Sequence, residues 1–162
     1  MICPAAIEQK PVLAQLMELY MYDFSEFSGE DVSECGYYGY KYMDNYWTEA
    51  GRMPLLIRVD GKLAGFALVR ACSEYSDMPA PHCIGEFFVM KKYRRRGVGR
   101  TAACRVFDMF PGNWEVSQWK NNLPAQRFWR RVISEYTGGE FSELCTDDVV
   151  VQAFSSAVAG RA

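Results

Sequence analysis

Ten residues, Lys91-Lys92-Tyr93-Arg94-Arg95-Arg96-Gly97-Val98-Gly99-Arg100, bring six positive charges and two glycines together. The apolar run Ile84-Gly85-Glu86-Phe87-Phe88-Val89-Met90 precedes them, and Val98, Ala102, Val106 and Met109 repeat at helical spacing after them. The pattern predicts a strand, a basic turn and a helix. A glycine-containing turn that opens a helix directs several unpaired N–H groups at one point, where the positive end of the helix dipole also lies. Such a spot suits a phosphate or pyrophosphate. Gly97 and Gly99 let a ligand approach the backbone because no Cβ intervenes. Arg94, Arg95, Arg96 and Arg100 add charge and forked hydrogen bonds to phosphate oxygens. The spacing is neither that of a nucleoside-triphosphate loop nor the three-glycine dinucleotide fingerprint. The plainer alternative is a solvated basic turn whose glycines merely start a helix.

Glu86 is the second residue placed for chemistry. A carboxylate among Ile, Phe and Val has its proton affinity raised by desolvation, towards values useful to a general base. Its plainer alternative is a strand glutamate facing solvent or pairing with a nearby lysine. His82, the only histidine, precedes the same strand as a candidate proton relay or a solvated loop residue. None of the six cysteines sits in a nucleophile setting, and no C-x-x-C pair marks a zinc or redox centre. No metal site is expected.

The elements around these residues follow from pattern. Ile2–Ile7 reads as a short edge strand limited by Pro4, and Lys10–Phe24 as a helix with Pro11 in its first turn. Residues 25–40 read as a loop and 42–49 as a shorter helix. Pro54–Val59 and Leu63–Arg70 flank Asp60-Gly61-Lys62, a hairpin signal. Strands are expected at Ile84–Met90 and Trp114–Gln118. The helix from Val98 stops at Pro111-Gly112. Ala125, Phe128, Trp129, Val132, Ile133 and Tyr136 form a further helical stripe with Asn122 or Leu123 at its cap. Glu140–Cys145 and Val149–Phe154 close the chain as an antiparallel pair. The order β-α-α-β-β-β-α-β-α-β-β predicts an α/β (α+β type) fold with a mixed, largely antiparallel central sheet flanked by helices, in one domain over residues 1–162.

Composition is that of a soluble globular protein, 49% hydrophobic and 23% charged. No membrane-length apolar run or signal-like N-terminus is visible, so a reduced cytoplasmic setting and no membrane partner are expected. Net charge is only −2 although six cations sit in one segment, so the remainder is acidic. That balance favours a polyanionic ligand at one place and a cationic partner elsewhere over a nucleic acid.

Arg94-x-x-Gly97-x-Gly99 at a strand end resembles the [Q/R]-x-x-G-x-[G/A] acetyl-CoA signature of the GNAT superfamily of N-acetyltransferases. Asn122, Ala125, Phe128 and Trp129 resemble its second motif, one strand later. The resemblance implies acetyl-CoA as cosubstrate. The strand around Phe88 and Val89 would pair with the pantetheine arm, and the Val89 N–H would polarise the thioester carbonyl. Amides from Arg95 through Gly97, Val98 and Gly99 to Arg100 would hold the pyrophosphate. Asn122 would contact the thiol arm or serve only as a helix cap, and Phe128 completes the second motif. Glu86 matches the strand glutamate that engages the amine. Where many members carry Tyr after that Phe, this chain has Trp129, whose indole is no acid. Either another group serves as general acid, with Tyr136 the nearest helical candidate, or none does, since thiols titrate near pH ~8.5 and the thiolate is already a tolerable leaving group. Acidic and aromatic residues from Tyr22 to Tyr46 suit a cationic acceptor, a small-molecule or peptide amine. A homodimer is the expected assembly. A non-catalytic acyl-CoA-binding module and a transferase using another acyl-CoA stay open.

Overall fold

The computed structural model describes residues 1–71, 74–79 and 81–156. Its elements are β1 (Ile2–Pro4), α1 (Lys10–Ser28), α2 (Asn45–Thr48), β2 (Arg52–Val59), β3 (Lys62–Ala71), β4 (His82–Val89), α3 (Val98–Met109), β5 (Asn113–Trp119), α4 (Leu123–Thr137), β6 (Ser142–Cys145) and β7 (Val149–Ser155). Short 3-10 turns precede α1 and follow β4. The element order and the mixed sheet agree with the pattern in the sequence.

The seven strands run in the order β1-β2-β3-β4-β5-β7-β6. Every pairing is antiparallel except β4 with β5. Alternation along the central strands feeds two cores. On one face Leu55, Ala67, Val69 and Ile84 pack with Ala103, Val106 and Phe107 of α3 and Trp129, Val132 and Ile133 of α4. On the other, Leu56, Phe66, Leu68 and Phe88 pack with Leu13, Leu16 and Met17 of α1 and with Tyr46. Full burial of each large apolar side chain contributes roughly 1.5–3 kcal/mol.

Several boundaries shift by two to four residues from expectation, the largest at the end of α1. α1 runs one turn past Phe24, because nothing breaks it before Gly29, which caps it at φ +68° and donates to Ser25 O at 2.8 Å. Phe24 and Phe27 stay in contact on that extra turn, and Phe24 packs on Trp119 of β5. β1 stops at Pro4, where the chain enters the 3-10 turn at Ile7–Gln9. Buried Cys83 is disulfide-bonded, unlike the reduced thiol expected for it. No helix among the described residues is long and apolar enough to cross a membrane, and no cluster of three or more metal-ligating side chains is found among them.

Candidate active site

The site begins where the sheet comes apart. β4 and β5 share only the pairs His82↔Trp114 and Cys83↔Glu115, and beyond them the parallel strands diverge. Residues 84–87 of β4 and 117–119 of β5 then face each other across a cleft of about 740 Å³. Phe88 O lies against Gly65 of β3, and Met90 N–H donates to Ala64 O. Val89, between them, therefore turns its own N–H and C=O away from β3, to the open edge of β4. Arg94 Nε donates to that Val89 carbonyl at 2.6 Å.

A β-bulge decides which way Glu86 points. Leu68 pairs with Glu86 and Val69 with Ile84, so Gly85 is the extra residue on β4. Strict alternation would put Glu86 on the same face as Ile84, towards α3 and α4. The bulge shifts the parity, sending Phe87 to that face and Glu86 with Phe88 to the α1 face. A Cβ at position 85 would stand 2.8 Å from the Tyr46 hydroxyl, so only glycine fits this close approach.

On the α1 face the Tyr20 hydroxyl donates to Glu86 Oε2 at 2.6 Å. Tyr40, from the loop after α1, lies beside this carboxylate and also lowers its proton affinity. Burial pushes the Glu86 carboxyl above the ordinary carboxylate range, and the two tyrosines with the Arg70 guanidinium pull it only part of the way back. Tyr20 and Tyr40 are themselves pushed up by burial and by the Glu86 charge, so both remain protonated donors. The lining also includes the aromatic residues Tyr38, Tyr42, Tyr75, Phe87, Trp119 and Trp129 and the acidic residues Glu30 and Asp31. Among the described residues, Lys41 is the only lysine or arginine that lines it. Sequence reasoning missed Tyr20 as a site residue and placed Tyr40 only within the acceptor region, without its link to Glu86. Their signal was a hydroxyl where phenylalanine would have served packing equally well.

The basic turn lies at the other end of β4. Gly97 holds φ +78° at the N-cap of α3, and a Cβ there would meet nothing within 4 Å, so the helix N-terminus opens on free space. Arg95 also adopts a left-handed conformation, φ +59°, which costs a non-glycine residue about 1 kcal/mol. Gly99 has a different reason from the expected ligand approach. A Cβ there would come 3.3 Å from the Phe128 ring, so its bareness lets α3 pack on α4. Arg94 pairs with Asp23 of α1, and Arg100 with Glu135 of α4. Arg95 and Arg96 are exposed, and Arg96, Gly97 and Val98 border a second hollow of about 160 Å³ with Arg58 and Arg105.

Across the cleft Asn122 lines the wall and also caps α4, its Oδ1 accepting the Ala125 N–H at 3.1 Å. The helix-cap alternative is the one these contacts show. Phe88, Phe128 and Tyr136 do not line the cleft. Phe88 packs in the α1 core against Phe66 and Tyr20. Phe128 stacks on Phe87 and packs against Gly99. Tyr136 lies two turns beyond Trp129, about 10 Å along α4, with its hydroxyl donating to Asp108 at 2.8 Å. The expectation of Tyr136 as proton donor is corrected: it is a core residue bonded to α3. His82 packs between Phe110 and Trp114, where burial lowers its proton affinity, and it too is away from the cleft.

The chain belongs to the acetyltransferase (GNAT) family, whose model matches residues 13–133. Among solved structures it is similar to the ribosomal-protein-S18-alanine N-acetyltransferase of Escherichia coli, at 14% identity and a TM-score of 0.66, covering 99% of this chain and 96% of that one. An acetyltransferase from Thermus thermophilus gives 11% identity and a TM-score of 0.69 with 96% of each chain covered. An aminoglycoside acetyltransferase from an uncultured soil metagenomic sample, in complex with sisomicin, gives 19%, 0.57, and 82% and 86% coverage. At these identities the likeness concerns the fold. No curated protein matches the sequence.

Proposed function

We propose that this chain is an N-acetyltransferase that moves the acetyl group of acetyl-CoA to a primary amine, with Glu86 as the base. The observation that carries the proposal is Glu86 itself: a carboxylate turned into an aromatic, acidic cleft by a bulge, with its proton affinity raised by burial. Family membership supports acetyl transfer. The residues fit the donor, since the open edge of β4 at Val89 suits an extended amide-bearing arm and the open N-terminus of α3 at Gly97 suits a pyrophosphate. Arg95, Arg96 and the amides through Arg100 would hold that charge. Acetyl-CoA supplies the activated thioester.

An ammonium has no free lone pair, so the acceptor must lose a proton before it attacks. Glu86 takes that proton while Tyr20 and Tyr40 hold the carboxylate in place. The amine nitrogen bonds to the carbonyl carbon, the carbon–sulfur bond breaks with the electron pair going to sulfur, and the proton still in excess on the new amide nitrogen passes to the departing thiolate. Thiols titrate near pH ~8.5, so the departing sulfur is a tolerable leaving group without a dedicated acid. That agrees with Trp129 standing where a tyrosine is common and with Tyr136 lying elsewhere. Cation–π contact with the lining tyrosines, together with Glu30 and Asp31, favours a cationic acceptor.

Two measurements test the proposal. Calorimetric titration of acetyl-CoA should show binding to wild type and its loss in Gly97→Trp. Wild type should release free thiol from acetyl-CoA only when an amine is present. Binding without amine-dependent release across polyamines, aminoglycosides and peptides would instead support an acyl-CoA-binding module.

A further inference from the structure

Two glutamates that take no part in the chemistry hold the walls of the cleft. Glu18 lies on α1, two residues before Tyr20. Its Oε2 accepts the Tyr38 N–H at 2.8 Å and its Oε1 the Gly39 N–H at 2.9 Å. Glu115 lies on β5 on the far side of the cleft and is only 1% exposed. Its Oε1 accepts the Ser76 N–H at 2.8 Å and the Ser76 hydroxyl, and its Oε2 the N–H groups of Glu74 and Tyr75, both at 3.3 Å.

Both clasps have the same form. In each, a carboxylate on a regular element accepts consecutive backbone N–H groups from an irregular segment, and that segment supplies tyrosines to the cleft. The segment held by Glu18 supplies Tyr38, Tyr40 and Tyr42, and the one held by Glu115 supplies Tyr75. Residues 29–44, between α1 and α2, contain no helix or strand. A loop of that length keeps one conformation only if something fixes its backbone. Backbone N–H donors, with the Ser76 hydroxyl as the one side-chain donor, make the hold, so the tyrosines are left to shape the pocket. Burying a carboxylate at position 115 carries a desolvation cost that an apolar residue would avoid. The return is a fixed position for Tyr75 opposite the Glu86 wall.

We infer that Glu18 and Glu115 are positioning residues for acceptor specificity, each clasping a loop that presents tyrosine side chains to the incoming amine. The inference rests on the proposed N-acetyltransferase activity and adds the device that shapes its acceptor pocket. The residues proposed for the donor, Val89 and the turn at Gly97, accept or donate no bond in either clasp.

The test uses Glu18→Gln and Glu115→Gln in the full chain, which keep side-chain size but turn an N–H donor towards the loop amides. Acetyl-CoA affinity by calorimetry should stay within about twofold. With spermidine, an aminoglycoside and a peptide bearing a free amino terminus as acceptors, KM should rise about tenfold in each variant, roughly the loss of one charge-assisted hydrogen bond. kcat should change less, and the order of preference among the three should shift. Folded variants with unchanged KM and unchanged preference would overturn the inference. If Glu115→Gln does not fold, Tyr75→Ala takes its place, and unchanged acceptor KM there counts equally against it. Wild type that acetylates none of the three would refute the proposed activity and the inference together. An effect confined to the variants isolates the clasps.

Discussion

Replacing Gly85 with alanine asks whether the bulge and Tyr46 together set the direction of Glu86. The new Cβ would stand 2.8 Å from the Tyr46 hydroxyl, inside the 3.4 Å at which ordinary contact begins, while its next neighbours, Leu68 O and Arg70 Nε, lie at 3.4 and 3.7 Å. Tyr46 is 3% exposed and its ring is embedded in the α1-side core, so it cannot swing aside. Overpacking of this kind costs about 1–3 kcal/mol. Alanine returns roughly 0.4–1 kcal/mol by restricting the unfolded chain, leaving a net loss of about 1–2 kcal/mol. For a chain of this length that lowers Tm by roughly 2–8 °C. In a Tyr46→Phe background the obstructing oxygen is gone and the alanine should cost nothing or stabilise slightly. Thermal melts of the four proteins form a double-mutant cycle with an expected coupling of about 1–3 kcal/mol. An equal loss in both backgrounds would refute the steric reasoning. Acetyl transfer by Gly85→Ala should fall as Glu86 moves, and recover in the double variant.

Other substitutions probe separate links. Glu86 binds its proton more tightly when folded, so its contribution to stability is fully present below the unfolded carboxyl value near ~4.3 and is lost as pH rises through the higher folded value. Melts of wild type and Glu86→Gln between pH 4 and 8 should therefore show the variant gaining on wild type as pH rises, and a constant difference would contradict the raised proton affinity. Asn122→Ala removes the α4 cap and should cost about 1 kcal/mol in denaturant unfolding. Tyr136→Phe loses the bond to Asp108, about 1 kcal/mol, with no change in transfer rate; a tenfold slower rate would return Tyr136 to the mechanism.

Much of the fold was legible because periodicity and punctuation are local signals. Pro11, Asp60-Gly61, Pro111-Gly112 and Pro124 lie close to where elements begin or end, and Asn122 caps α4 as its residue type suggests. The basic turn and Glu86 were also visible, since both lie in one continuous segment. What could not be read was long-range. The bulge at Gly85 exists only in the pairing of β4 with β3, and no pattern within β4 announces it. Tyr20 reaches Glu86 across 66 positions of sequence. The clasps of Glu18 and Glu115 join residues 20 to 41 positions apart through backbone amides, which carry no residue-type signal at all. Tyr136 was misjudged because helical spacing gives a residue's face but not the distance along the axis to the cleft. At Gly99 the packing against Phe128 was not visible either, for the same want of three-dimensional context.

The most direct test of the account is the rate of thiol release from saturating acetyl-CoA in the presence of an amine acceptor, compared between wild type and Glu86→Gln. The account predicts amine-dependent release by wild type and a loss of about 10²–10⁴-fold in the variant, with acetyl-CoA affinity unchanged. Equal rates in the two proteins would contradict Glu86 as the base, and the absence of amine-dependent release from wild type would contradict the enzyme.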